Sequence, residues 1–115
     1  MNKSIQPIFH RLNASVRVPG SKSLTNRALL IAALAEGKST LTNALFSDDS
    51  RYFANALQKL GFRVELDEER AEISVWGLGG KIPANKAALF IGNAGTAARF
   101  LTAFLTLGNG EYLLD

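Results

Sequence analysis

A turn followed by a hydroxyl-rich helix start, residues 19–29, constrains this chain more than any other segment. A Pro-Gly turn opens the segment, and the pattern behind it predicts a helix over residues 21–36. The backbone N–H groups of a first helical turn have no partner within the helix and lie at the positive end of its dipole. Lys22, Ser23 and Arg27 add two cations and a hydroxyl, and Arg27 lies one turn beyond Ser23 on the same face. The segment therefore predicts a site for an anionic small molecule.

These residues do not form a phosphate-binding P-loop, although Gly-Ser-Lys-Ser resembles the end of one. A P-loop needs a glycine directly before the lysine and another glycine five residues earlier. Here Ser21 separates Gly20 from Lys22, and the earlier position is Ser15. Two interpretations stay open. One is an anion site in which Lys22 acts as a point charge, and the other is a plain capped helix whose charged side chains are solvated.

A second glycine-rich segment, residues 92–99, repeats the arrangement of strand, turn, hydroxyl and helix. Gly92 and Gly95 permit positive φ and a close backbone approach to a ligand. The pattern predicts Thr96 as the hydroxyl cap of the helix, with Arg99 as its neighbour on the helix surface. Taken alone, this segment favours a structural helix start. Two such segments in one short chain favour a two-part anion site.

The composition excludes several classes of site. The chain has no cysteine, which removes disulfides and thiolate metal sites, and His10 is its only histidine, which removes a histidine metal cluster and a Ser-His triad. The net charge of +3 fits anionic metabolites but is too small to indicate nucleic acid. The longest apolar run, residues 28–35, is too short to cross a membrane, and the first residues lack a signal-peptide core. We expect a soluble, cytoplasmic protein with no metal, cofactor, nucleic acid or membrane partner.

The periodicity of apolar residues predicts a mixed α/β fold with the order β-α-β-α-β-β followed by β-α-β. Asp48, Asp49 and Arg51 are interpreted as helix-capping and solvated residues. The first and last helices are apolar on nearly all sides and need cover, so we expect the chain to be part of a larger protein. The predicted strands cover residues 15–18, 39–45, 62–66, 71–76, 89–91 and 111–114, and the predicted helices cover 21–36, 48–60 and 96–107.

Together these segments resemble the N-terminal part of the 5-enolpyruvylshikimate-3-phosphate synthase family. The resemblance covers essentially the whole chain and about the first quarter of a family enzyme. It rests on two main motifs and several shorter ones: Pro19-Gly20-Ser21-Lys22-Ser23, Asn26-Arg27-Ala28-Leu29, Leu41-Thr42-Asn43, Ser47-Asp48-Asp49, Leu60-Gly61 and Gly92-Asn93-Ala94-Gly95-Thr96-Ala97 with Arg99.

The resemblance implies an α/β (α+β) fold of two domains, each built from three β-α-β-α-β-β units, with the active site between them. Residues 1–19 would then be a strand segment that belongs to the other domain. Residues 20–115 would be the first repeat unit and the start of the second in the N-terminal domain. The fold would be incomplete in this chain.

The resemblance also implies a reaction: transfer of the enolpyruvyl group of phosphoenolpyruvate to the 5-hydroxyl of shikimate 3-phosphate, with release of phosphate and without a metal. This is a step of the shikimate pathway to aromatic amino acids. The full enzyme would be a monomer, whereas we expect the isolated chain to be inactive and to self-associate. Lys22 would be catalytic and contact both substrates, Ser23 and Arg27 would bind shikimate 3-phosphate, and Asn93, Gly95, Thr96 and Arg99 would form the phosphoenolpyruvate site.

Two alternatives stay open beside this interpretation. The related enolpyruvyl transferase that acts on UDP-N-acetylglucosamine shares the fold but lacks the Gly-Asn-Ala-Gly-Thr loop. A non-catalytic anion-binding or interaction module derived from the family is the other. The apolar helix around residues 28–35 separates this module from a fragment, because a self-standing module should cover that helix.

Overall fold

The computed structural model describes residues 1–115 and contains three helices and five strands. The predicted mixed α/β fold is confirmed, with the order α-β-α-β-β-β-α-β. The elements are α1 (Lys22–Leu34), β1 (Glu36–Leu41), α2 (Asp48–Lys59), β2 (Arg63–Asp67), β3 (Glu72–Leu78), β4 (Lys86–Leu89), α3 (Gly95–Leu105) and β5 (Glu111–Leu114).

Helix α1 begins where the sequence predicts, because Ser21 is its N-cap and accepts a hydrogen bond from the N–H of Leu24 at 3.3 Å. It ends at Leu34, two residues before the predicted boundary, since Ala35 is already extended (ψ 166°) and leads into β1. One face of α1 is buried, but Leu24 and Ile31 are 63% and 65% exposed. The chain therefore leaves part of this helix uncovered.

Helix α2 follows its predicted pattern closely. Ser47 and Ser50 form a capping box, and Asp48 and Asp49 occupy the first turn near the positive helix end. Gly61 follows the helix with φ +97°, a conformation that favours glycine. The apolar face of α2 is fully buried and consists of Phe53, Ala54, Leu57 and Leu60.

The first sheet is antiparallel and has the strand order β1-β3-β2. Its central strand continues two residues past the predicted end, because Gly77 and Leu78 pair with Gly37 and Glu36 of β1. Strand β1 covers Glu36–Leu41 rather than residues 39–45, since its pairing with β3 ends at Leu41. Register with a partner strand, rather than local alternation, sets both boundaries.

The second sheet pairs β4 and β5 in parallel, with α3 as the connection between them. Strand β4 covers Lys86–Leu89, whereas the sequence predicted residues 89–91, because the partner residues Glu111–Leu114 pair with that earlier stretch. Helix α3 begins one residue earlier and ends two residues earlier than predicted. Buried apolar residues from all three helices and both sheets form one core.

The predicted strand over residues 15–18 is wrong for this chain. Residues 11–19 are exposed and belong to no helix or strand. An alternating segment becomes a strand only when its backbone groups pair with a neighbour, and neither sheet includes residues 15–18. None of the helices is long and apolar enough to cross a membrane.

Candidate functional site

The start of α1 is fixed to the segment that follows β1. A Cβ at Gly20 would overlap the backbone of Asn43 and Leu45, so only glycine permits this approach. The hydroxyl of Thr25 donates to the carbonyl of Ser21 (2.7 Å) and accepts from the N–H of Leu45 (3.1 Å). The first turn of the helix, with its predicted ligand groups, therefore has a defined place in the fold.

Lys22, Ser23 and Arg27 are all exposed at this helix start, as an anion site requires. The side chains of Ser23 and Arg27 make no hydrogen bond or ion pair within the chain, and the backbone N–H groups of Lys22 and Ser23 donate to no backbone acceptor. The ammonium of Lys22 lies 3.4 Å from a carboxylate oxygen of Asp49 on α2. Two cations, one hydroxyl and two N–H donors thus face solvent together.

The glycine-rich segment before α3 has the predicted positive φ at one glycine only. Gly92 has φ +53°, and a Cβ there would lie 3.2 Å from the ring of Tyr52. Gly95 is the first residue of α3, and a Cβ there would meet no atom within 4 Å. Open space therefore borders the backbone at Gly95.

The prediction that Thr96 caps α3 is wrong. Thr96 is the second residue of the helix, and the N-cap is Ala94, which has no side-chain acceptor. The N–H groups of Thr96 and Ala97 consequently have no backbone acceptor in this chain. Ala97 is fully buried, so the donors that a ligand could reach at this second helix start are the N–H of the half-buried Thr96 and the exposed side chain of Arg99.

Helix α2 contacts both segments through neighbouring side chains. Asp49 pairs with Lys22, while the ring of Tyr52 packs edge-to-face on Phe90 (centroids 5.3 Å apart, planes at 83°) and lies against Gly92. Residues three apart are adjacent on a helix surface. The fold therefore brings the two predicted anion-binding segments to one face of α2.

A sequence model of the EPSP synthase (3-phosphoshikimate 1-carboxyvinyltransferase) family matches residues 7–115. The chain belongs to the EPSP synthase family. It is 62% identical to the 3-phosphoshikimate 1-carboxyvinyltransferase of Trichormus variabilis and 59% identical to that of Nostoc punctiforme, each over 110 residues. These alignments cover 95% of this chain and 26% of each relative. The chain therefore spans about a quarter of the length of the curated relatives it matches.

A solved structure of EPSP synthase from Acinetobacter baumannii has the same fold over the matched region. The TM-score is 0.76 at 29% sequence identity, and the match covers 87% of this chain and 23% of the solved one. The family resemblance and the fold class predicted from the sequence are thus confirmed. The roles of individual EPSP synthase site residues stay predictions.

The predicted site residues do not line a cavity of this chain. None of the five principal cavities is lined by Lys22, Arg27 or Arg99. The cavity nearest the first segment, about 540 Å³, lies beside α1 and is lined mainly by residues 18–21 and 40–44. The charged groups instead occupy an open surface.

Sequence reasoning missed Asp49 and Tyr52 as neighbours of the site. The sequence predicts Asp48 and Asp49 as helix-capping residues, and this describes Asp48, an exposed first-turn residue 3.8 Å from Arg51. Asp49 is in the same turn but also reaches Lys22. The spacing of three residues between Asp49 and Tyr52 indicates that they are neighbours on one helix face, but only tertiary packing shows what each contacts.

Other charged groups lie away from these segments. The Arg51 guanidinium hydrogen-bonds Glu68 at 2.9 Å beside the β2–β3 turn and lowers the pKa of that carboxyl. The chain holds no group of three or more histidine, cysteine, aspartate or glutamate side chains placed to bind a metal.

Proposed function

We propose that this chain supplies part of the active site of a 3-phosphoshikimate 1-carboxyvinyltransferase. The enzyme would transfer the enolpyruvyl group of phosphoenolpyruvate to the 5-hydroxyl of shikimate 3-phosphate and release phosphate, in the pathway to aromatic amino acids. The observation that carries the proposal is the contact of α2 with both donor-rich helix starts, through Asp49 to Lys22 and through Tyr52 to Gly92. Two helix starts on one face suit two anionic substrates that must react with each other.

The α1 start would bind shikimate 3-phosphate. The unpaired Ser23 hydroxyl and Arg27 guanidinium would bind its phosphate or carboxylate, since a guanidinium matches both groups bidentately. Lys22 would contact both substrates and stabilise negative charge on phosphoenolpyruvate as the new bond forms. Each role needs a side chain free to meet solvent, and Lys22 remains 55% exposed despite its ion pair.

The α3 start would bind phosphoenolpyruvate. Gly95 leaves space beside the backbone, and the N–H group of the half-buried Thr96 has no backbone acceptor and would be available to an anion. Arg99, three residues beyond Thr96, adds a cation on the same surface. Asn93 is exposed in the preceding turn and would shape the loop.

The isolated chain would not catalyse the reaction, because it spans about a quarter of its relatives' length and its site is open to water. With both substrates present, no phosphate should be released above background. Robust release by this chain alone would contradict the proposed division of the site.

Binding by the first segment can be tested by NMR titration of the ¹⁵N-labelled chain with shikimate 3-phosphate. The amide signals of residues 21–27 should shift, and Arg27→Ala should weaken binding by at least about tenfold, as expected for a charge-assisted contact. Lys22→Met should weaken binding too. Lys81→Met is the matched control, because Lys81 is also exposed and lies outside both segments.

The alternatives predict different titrations. Equal shifts and affinities for inorganic phosphate and shikimate 3-phosphate would favour a non-catalytic anion-binding module. Shifts with UDP-N-acetylglucosamine but not with shikimate 3-phosphate would favour the related transferase.

We also propose that the isolated chain self-associates through the exposed face of α1. Leu24 and Ile31 lie seven residues apart on that face and are largely exposed, and exposed apolar surface drives association. Sedimentation should show a mass that rises with concentration, and Ile31→Lys should reduce it. A monomer at all concentrations would instead favour a self-standing module.

A further inference from the structure

We propose that Asp49 and Tyr52 of α2 are positioning residues, Asp49 for the side chain of Lys22 and Tyr52 for the backbone of residues 92–95. The inference rests on the proposed function for what those groups bind. Neither residue needs to touch a substrate. Each would hold one of the two segments in the geometry that its anion requires.

Asp49 is suited to restrain the Lys22 side chain because its own position is restrained by the surrounding fold. Its side chain is only 22% exposed, whereas that of Lys22 is 55% exposed. The first turn of α2 is fixed by Ser50, which is 1% exposed and whose hydroxyl donates to the carbonyl of Leu45 at 2.7 Å. A lysine side chain has many rotamers, so an ion pair with a fixed carboxylate restricts where the ammonium can lie.

Asp49 also offsets the charge of Lys22 before a ligand arrives. A small anion that needs only positive potential should gain when this carboxylate is neutralised. A larger ligand that needs a defined ammonium position should lose. The two responses have opposite signs, which separates positioning from simple electrostatics.

Tyr52 acts through its ring. The ring packs edge-to-face on Phe90 and lies 3.2 Å from the Cβ position of Gly92, where φ is +53°. Its hydroxyl makes no hydrogen bond within the chain. The ring therefore supports one wall of the turn that leads to Gly95, and the hydroxyl can be removed without loss of that contact.

The proposal can be tested without any ligand, by NMR relaxation of the Lys22 side chain and of the amides of residues 92–95. Asp49→Asn should increase the mobility of Lys22 and leave the turn unchanged. Tyr52→Ala should mobilise the turn and leave Lys22 unchanged. The matched controls are Asp48→Asn, which removes an exposed carboxylate in the same turn, and Tyr52→Phe, and both should behave as the unmodified chain. An immobile Lys22 in Asp49→Asn, or an unchanged turn in Tyr52→Ala, would overturn the corresponding half.

The variant Asp49→Glu distinguishes a positioning role of Asp49 from a purely structural role in the helix. A glutamate can still reach the ammonium, so it should restore the order of Lys22. If Lys22 is mobile in both variants and the α2 amides are perturbed in both, Asp49 stabilises the helix instead and the proposal is wrong.

Titrations connect positioning to binding. Asp49→Asn should lower the affinity for shikimate 3-phosphate by roughly two- to fivefold, the range of an exposed ion pair. The affinity for inorganic phosphate should stay the same or increase. Parallel weakening of both ligands would contradict the positioning role. If the unmodified chain does not bind shikimate 3-phosphate at all, the proposed function is wrong. The NMR relaxation measurements on Lys22 and residues 92–95 need no ligand, so they still test the positioning proposal.

Discussion

The hydroxyl of Thr25 accepts a hydrogen bond from the backbone N–H of Leu45 across 3.1 Å. The same hydroxyl donates to the carbonyl of Ser21 at 2.7 Å, and Thr25 is only 6% exposed. One side chain thus joins the first turn of α1 to the segment that leads into α2. The lysine on α1 and the aspartate on α2 can meet because this junction sets the distance between the two helix starts.

Replacement of this threonine tests the junction. Thr25→Val keeps the shape but leaves the N–H of Leu45 without its partner, so the free energy of unfolding should fall by about 1–3 kcal/mol. Urea denaturation followed by circular dichroism measures the change. Thr102→Val is the control, because the Thr102 hydroxyl bonds only its own helix at an exposed position. Equal losses in the two variants would show that the bridge contributes nothing specific.

Gly77 should not tolerate a methyl group. A Cβ there would overlap the carbonyls of Ala32 and Ala35, which are backbone atoms that cannot rotate away. Gly77→Ala should therefore lower the free energy of unfolding by about 2 kcal/mol or more. Thermal unfolding should show a clearly reduced midpoint, and an unchanged midpoint would contradict the close approach of β3 to the end of α1.

Gly95→Ala should separate stability from binding. Nothing lies within 4 Å of the added Cβ, and the position begins a helix, so stability should be unchanged or slightly higher. If Gly95 borders the phosphoenolpyruvate site, the added methyl group should lower the affinity for phosphoenolpyruvate on the order of tenfold, about 1.4 kcal/mol. A titration of the folded variant measures this, and undiminished binding would place the ligand elsewhere.

The Arg51–Glu68 pair should make stability depend on acid pH. The hydrogen bond from Arg51 lowers the pKa of Glu68 in the folded chain, so its contribution is present above the unfolded pKa of about 4.3 and is lost as the pH falls through the folded value. Glu68→Gln should be less stable than the unmodified chain at pH 7, and the difference should shrink as the pH falls and Glu68 becomes protonated. Both side chains are exposed, so high salt should also reduce it. Glu69→Gln, which removes a carboxylate without an ion pair, should show no such trend.

The Tyr112 hydroxyl should stabilise the second sheet. It donates to the carbonyl of Ala84 at 2.7 Å, across the loop that precedes β4. Tyr112→Phe should lower the free energy of unfolding by about 1 kcal/mol. Tyr52→Phe should have little effect because that hydroxyl has no partner within the chain. Denaturation of both variants side by side checks the difference.

Local chemistry was enough to predict much of this fold. The hydroxyl-rich start of α1, the helix α2 with acidic residues in its first turn and the β5 strand all follow from interactions within a few residues. The donor-rich start of α1 was predictable for the same reason, because a hydroxyl cap and nearby cations are encoded in one short segment. These features need no information about distant residues.

Pairing and packing across the chain decided the rest. The bounds of β1, β3 and β4 follow their partner strands, and residues 15–18 form no strand because nothing pairs with them. The contacts of Lys22 with Asp49 and of Tyr52 with Gly92 join residues far apart in sequence. Motif spacing thus suffices to predict two donor-rich helix starts. Their arrangement around one face of α2 forms only when the core packs, since burial of Phe53 and Leu57 sets the rotation of α2 about its own axis.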